Sequence, residues 1–190
     1  MCREVSPRLA KRFARAILEL GGNNAAIVAP TADLDLALRG IAFAAMGTAV
    51  QRCTTLRRLF VHESIHDAFV ARLAAVYRSV KVGDPRTAGN LVGPLIDRAA
   101  FDAMERALGD ARAHGGVVHG GQRVAGLAGD DAWYVAPALV EMPEQCGPML
   151  HETFAPILYV TRYRALDEAI AMQNGVAAGL SSSIFTLDIR

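Results

Sequence analysis

Lysine, cysteine and long apolar runs are all scarce in this chain. Lys11 and Lys81 are the only lysines, so arginine supplies nearly all of the 20 basic residues, which face 19 acidic ones. The formal charge of +1 leaves no global electrostatic footprint for nucleic acid or an anionic membrane surface. Cys2, Cys53 and Cys146 are too few and too scattered for a disulfide framework or a Cys-x-x-Cys metal site, which points to a reducing, cytoplasmic setting. The apolar, uncharged stretch from Gly40 to Gln51 falls far short of the roughly 20 residues that span a bilayer. Charges at Arg3, Glu4, Arg8, Lys11, Arg12 and Arg15 interrupt every apolar stretch near the start, which is not a signal-peptide pattern. There is no internal repeat, no low-complexity segment and no Gly-x-Gly-x-x-Gly phosphate loop.

What is present describes a globular domain. The 190 residues are 52% hydrophobic and 21% charged, with a mean hydropathy of +0.23, enough to bury a sizeable core. Helical spacing runs from Val5 to Ile17, with Leu9, Phe13 and Ala16 on one side; Ile17 to Leu20 reads as a short strand before Gly21-Gly22. Ala25 to Val28 reads as a buried strand ended by Pro30, and Asp33 and Asp35 suit the start of a helix that ends near Gly47. Leu56 to Val61 predicts a strand, Ser64 can cap a helix to about Val80, and a second long helix runs from about Asp97 to Ala113. Val117 to His119, Tyr134 to Glu141, Pro156 to Tyr163 and Ser183 to Phe185 are further strand candidates, with a short helix over Leu166 to Met172. This alternation predicts an α/β domain with a mostly parallel or mixed sheet.

His62-Glu63-Ser64-Ile65-His66 matches the H-E-x-x-H spacing of zinc metalloproteases, but that motif needs one continuous helix. Here His62 and Glu63 end the strand signal and the helix begins only at Ser64. No metal ligand is therefore assigned. Cys53 lies in a small, polar stretch between an apolar helix and a strand, where a turn can expose a thiol, and the adjacent Arg52 would favour the thiolate. An inert buried cysteine gives the same local signal. Glu19 falls at the end of an apolar strand signal, where burial suits a carboxylate to general-base work; a solvent-facing residue of an alternating strand reads the same way. Glu152 and Phe154 combine an acceptor for ligand hydroxyls with an aromatic surface ahead of a strand, as would a turn glutamate and a core phenylalanine.

Glu19-Leu20-Gly21-Gly22-Asn23-Asn24, Gln51-Arg52-Cys53 and Glu152-Thr153-Phe154-Ala155-Pro156 together resemble, in order and spacing, the motifs of the NAD(P)-dependent aldehyde dehydrogenase superfamily. The likeness covers essentially the whole chain. Cys53-Thr54-Thr55-Leu56-Arg57-Arg58, Leu91 to Asp97 and Gly179 to Thr186 look like its antiquitin branch, whose members oxidise α-aminoadipic semialdehyde. The resemblance implies a three-layer catalytic domain and NAD, with NADP possible, as cofactor. It also implies a small aldehyde substrate and a homo-oligomeric parent, with neither nucleic acid nor membrane as partner. By the same resemblance Cys53 is the nucleophile, Glu19 activates the water that hydrolyses the thioester, and Glu152 and Phe154 contact the nicotinamide riboside. Arg52 is then a contact for a carboxylate-bearing substrate.

Three positions depart from the pattern. Val50 stands where a glycine usually precedes the Gln-x-Cys motif, which predicts strain if that position needs φ > 0. His151 replaces the usual acid before Glu152, and Cys2 a usual glycine. The family's Rossmann-type cofactor domain has no counterpart ahead of Val5, nor its final segment after Arg190, so residues 1–190 are expected to be a catalytic domain truncated at both ends, one that does not oxidise aldehydes unaided. Two other functions fit the same residues: a non-catalytic remnant that associates with a full-length relative, and a cysteine-dependent esterase, which needs nucleophile and base but no hydride acceptor.

Overall fold

Six strands of the computed structural model, which describes residues 2–129 and 131–188, form one sheet. In chain order they are β1 (Asn24–Val28), β2 (Leu56–His62), β3 (Val117–His119), β4 (Ala138–Glu141), β5 (Ile157–Tyr163) and β6 (Ser182–Phe185). Their spatial order is β3-β4-β5-β2-β1-β6, parallel throughout except for β3 against β4, so the sheet is mixed as predicted. β1 is buried at every residue and β2 at every residue but His62, which is what a parallel sheet covered on both faces requires of its strands. Arg190, expected to close the chain after a strand, lies outside the described residues.

The helices are α1 (Cys2–Ala10), α2 (Leu34–Met46), α3 (Glu63–Ser79), α4 (Arg98–Ala113) and α5 (Leu166–Asn174). On one face of the sheet Ala26, Val28, Leu59, Val61, Leu158 and Val160 pack against Ile41, Ala45 and Met46 of α2 and Phe69 and Leu73 of α3. Residues of opposite parity, among them Ile27, Phe60, Val140, Ile157 and Tyr159, pack against Phe101, Met104 and Leu108 of α4 and Ala169 of α5. Three layers result, each large buried side chain contributing about 1.5–3 kcal/mol. Acidic caps start two of the helices: Asp33 accepts from Asp35 N and Leu36 N, and Asp97 from Ala100 N.

Four local expectations are corrected. The helix expected to Ile17 ends at Ala10; none of its residues is fully buried, so little packing supports a further turn. Phe13 then takes φ 54° and is 97% exposed. Ile17 to Leu20 is exposed and belongs to no strand. The strand expected from Tyr134 begins only at Ala138, since Pro137 has no N–H for a ladder. His62 rather than Ser64 caps α3, its Nδ1 accepting from Ser64 N at 3.2 Å. His62 thus closes a strand while His66 is buried on the helix, so the H-E-x-x-H run is broken, though one residue earlier than expected because Glu63 already opens the helix.

Candidate active site

The segments carrying Gly22, Cys53, Glu152 and Leu180 each lead directly into a parallel strand: β1, β2, β5 and β6. They therefore meet at the amino edge of the sheet, the opposite edge from the one where doubly wound folds bind ligands.

Between α2 and β2 the chain makes a 3-10 turn over Gly47–Val50 in which Thr48, Ala49 and Val50 all have positive φ, at 57°, 51° and 61°. Val50 thus takes the left-handed conformation that its usual glycine would adopt freely, and a β-branched residue there is strained. Its side chain is completely buried, which helps hold the turn. Beyond it, Gln51 is tied at both ends of its amide, Nε2 donating to Pro94 O at 3.1 Å and Oε1 accepting from Ile96 N at 2.8 Å. Cys53 follows, half-buried and a free thiol, as are Cys2 and Cys146. Asn24 Nδ2 donates to Cys53 O at 2.8 Å and Thr55 O at 2.7 Å, while its Oδ1 accepts from Leu180 N and Ser181 N. One buried amide thereby pins the Cys53 loop to β1 and to the entry of β6.

Arg57, 2% exposed, closes the loop from the other side. Its Nη2 donates to Arg52 O at 2.9 Å, and its Nη1 to Thr55 O at 2.9 Å and more weakly to Cys53 O at 3.4 Å. The same guanidinium meets Glu152 Oε1 at 3.0 Å and lies 5.4 Å from the centre of the Phe154 ring. Burial lowers the Arg57 pKa, opposed by the charges of Glu152 and of a Cys53 thiolate. Glu152 also accepts from Gly22 N at 3.1 Å. A Cβ on Gly21 would sit 1.9 Å from Glu152 Oε2, so a side chain there would displace this carboxylate.

Cys53, Glu152 and Phe154 are thus brought together, with Arg57 between them. Arg52 is exposed and its Nη2 turns back to within 3.2 Å of where a Gly47 Cβ would stand. Glu19 is not in the apolar surroundings expected of it. It lies on an exposed segment, makes no hydrogen bond or ion pair among the described residues, and is carried toward the loop only through Gly22, three residues on. His151 is exposed on the turn before Glu152.

Sequence reasoning missed Arg57, Asn24 and Arg58. Arg58 is completely buried and donates to Asn23 O, Gln145 Oε1, Met172 O and Gln173 O, so it satisfies the free carbonyls of the last turn of α5. Burial pushes its pKa down to about 10. The available signal was the Arg57-Arg58 pair inside an otherwise apolar strand. Among the described residues no group of three or more His, Cys, Asp or Glu side chains could hold a metal ion.

Fold and site together define an α/β domain whose amino edge presents a free thiol and a carboxylate, bridged by one buried arginine. The chain belongs to the aldehyde dehydrogenase family, whose family model matches residues 1–190. It is 44% identical over 182 residues to aldehyde dehydrogenase family 7 member A1 of Pisum sativum, covering 96% of this chain and 35% of that protein. It is 45% identical over 188 residues to the alpha-aminoadipic semialdehyde dehydrogenase of Mus musculus, covering 98% and 34%. The crystal structure of a NAD-dependent aldehyde dehydrogenase from Sinorhizobium meliloti superposes with a TM-score of 0.91 at 31% identity, over 98% of this chain and 37% of that one. The chain spans about a third of the length of the curated relatives it matches. No helix among the described residues is long and apolar enough to cross a membrane.

Proposed function

We propose that residues 1–190 form the catalytic domain of an NAD(P)-dependent aldehyde dehydrogenase that oxidises a semialdehyde of the α-aminoadipic type, with Cys53 as nucleophile. The observation that carries this reading is the fixed Cys53 loop, whose carbonyls are held by Asn24 and Arg57 while the thiol itself is free and half-buried. Positioning of this kind can lower a barrier by roughly 7–11 kcal/mol when both reactants are held.

The Cys53 thiolate adds to the aldehyde carbon and the carbonyl oxygen becomes an oxyanion near the Cys53 N–H. A bound dinucleotide would supply the hydride acceptor that turns the hemithioacetal into a thioester. Glu152 and Phe154 fit such a group. The carboxylate occupies the cradle that Gly21 leaves open, with Oε2 available to ribose hydroxyls, and the Phe154 ring is 43% exposed as a flat surface. Water then attacks the thioester, Glu19 takes its proton, the C–S bond breaks, and the carboxylate product leaves with Cys53 restored as thiolate. The exposed Glu19 segment suits a base that draws on solvent water. Arg52, exposed beside Cys53, is the candidate contact for the substrate's distal carboxylate.

An activated ester tests the covalent half. Acyl transfer to Cys53, located by peptide mass, is expected, with acylation near normal and release stalled in Glu19→Gln. Acyl groups on Cys2 or Cys146 instead would sink the assignment. Formation of NADH from NAD and α-aminoadipic semialdehyde is not expected of residues 1–190 unaided; NADH formation abolished by Cys53→Ala would overturn that expectation while separating a dehydrogenase from a cysteine esterase.

A further inference from the structure

Arg57 is a strand residue with almost no access to solvent, yet every hydrogen on its two terminal nitrogens is directed at the site. Nη1 addresses Cys53 O and Thr55 O, and Nη2 addresses Arg52 O and Glu152 Oε1. Its Nε has no hydrogen-bond partner and the cation sits against the face of Phe154. A planar fork of donors can hold three carbonyls and a carboxylate at fixed angles, which a lysine's point charge cannot. Covering the carbonyls of a loop alone would not require a charge, and anchoring Glu152 alone would not require reaching the carbonyl of the nucleophile.

We infer that Arg57 is a positioning residue shared by the two halves of the site, setting the Cys53 loop through its main chain and dividing the field of one buried cation between the Cys53 sulfur and the Glu152 carboxylate. The inference rests on the reading of Cys53 as nucleophile. Three charged groups face the loop: Arg57 from β2, Glu152 from the turn before β5, and the exposed Arg52 beside the thiol. Of these Arg57 is the one that is buried, so its field is least screened by salt. The favourable interactions of both Glu152 and a Cys53 thiolate with the guanidinium agree with a charge that both share. Two consequences of opposite sign follow. Removing Arg57 withdraws positive field from the sulfur, whereas neutralising Glu152 leaves Arg57 more exposed to it.

Charge-selective alkylation of the purified full chain reads this directly, using iodoacetate and iodoacetamide at one pH with the labelled cysteines mapped by mass. The ratio of the iodoacetate rate to the iodoacetamide rate at Cys53 is expected to fall about fivefold in Arg57→Met, to recover in large part in Arg57→Lys, and to rise in Glu152→Gln. The ratio at Cys146 serves as the internal reference. If Arg57 is only a brace, both rates change together and their ratio stays constant across the three variants, which overturns the inference. Should Arg57→Met fail to fold, Arg57→Lys and the opposite shift in Glu152→Gln still decide the matter. A wild-type chain in which Cys2 or Cys146 reacts ahead of Cys53 removes the nucleophile reading itself. Normal Cys53 reactivity with an unchanged ratio removes only the role of Arg57.

Discussion

The Cys53 loop and the segment carrying Glu19 stand only a few residues apart across Gly22, and they are built in opposite ways. The loop is pinned by Gln51 to residues 94 and 96, by Asn24 to β1 and β6, and by Arg57 to Glu152. The segment from residue 14 to residue 20 is exposed throughout, with Ile17 at 91%. On the proposed reading a nucleophile has to be aimed, which the polar network does at the expense of strain at Thr48, Ala49 and Val50. A base that handles water would need less support, and the Glu19 segment has only the anchor at Gly22.

Substitutions on the two sides should therefore differ steeply in effect. The largest is expected for Arg58→Ala, which orphans the carbonyls of Asn23 and Gln173 beneath the loop, leaves Met172 O to Gln145 Nε2 and Gly175 N, and should cost about 3 kcal/mol or more in urea unfolding. Next comes Gly22→Ala. Its Cβ would lie 2.8 Å from Cys53 O and 2.9 Å from Leu180 Cβ, so backbone must move and about 1–3 kcal/mol is lost. Gly21→Ala meets only the mobile end of Glu152 and should cost less in stability while displacing that carboxylate from Arg57. A smaller and opposite pair lies in the strained turn. Thr48→Gly removes a left-handed penalty of roughly 1–2 kcal/mol at an exposed position and, after about 0.5–1 kcal/mol of glycine entropy, should stabilise slightly. Val50→Gly relieves the same strain but surrenders a fully buried side chain worth about 1.5–3 kcal/mol, so it should destabilise. Differential scanning calorimetry of the two variants checks the sign. The smallest effect belongs to Glu19→Gln, expected to stay within about 0.5 kcal/mol of the parent. A loss comparable to that of Gly22→Ala would mean that the segment is held as tightly as the loop.

How much of this was legible in the sequence follows from what each signal depends on. Helices α2 and α4 were readable because an acidic cap and an apolar stripe coincide within one stretch of chain, and both features are satisfied locally. The stripe of Leu9, Phe13 and Ala16 was equally regular but gains no fully buried residue, which no local pattern reveals. Cys53, Glu152 and Phe154 were found through the spacing of motifs, and the geometry brings them to one place. Arg57 and Arg58 were passed over because their roles depend on β2 lying between β1 and β5 in the sheet, a fact of tertiary pairing. The suggestion that Arg52 activates the thiol came from adjacency in sequence. In the folded chain Arg52 Nη2 lies beside Gly47, and the guanidinium that bonds the loop's carbonyls belongs to Arg57, four residues downstream of Cys53.

The account's central claim is that the Cys53 loop presents a reactive thiol, and competitive alkylation of the folded protein with limiting iodoacetamide at neutral pH tests it most directly. Burial raises the Cys146 pKa, with the charges of Glu144 and Asp110 adding to it, while Cys2, half-buried like Cys53 on the first turn of a helix with no fully buried residue, is the control for accessibility. Peptide mapping should find Cys53 modified first, well ahead of the other two; consistent labelling of Cys2 or Cys146 before Cys53 would contradict it.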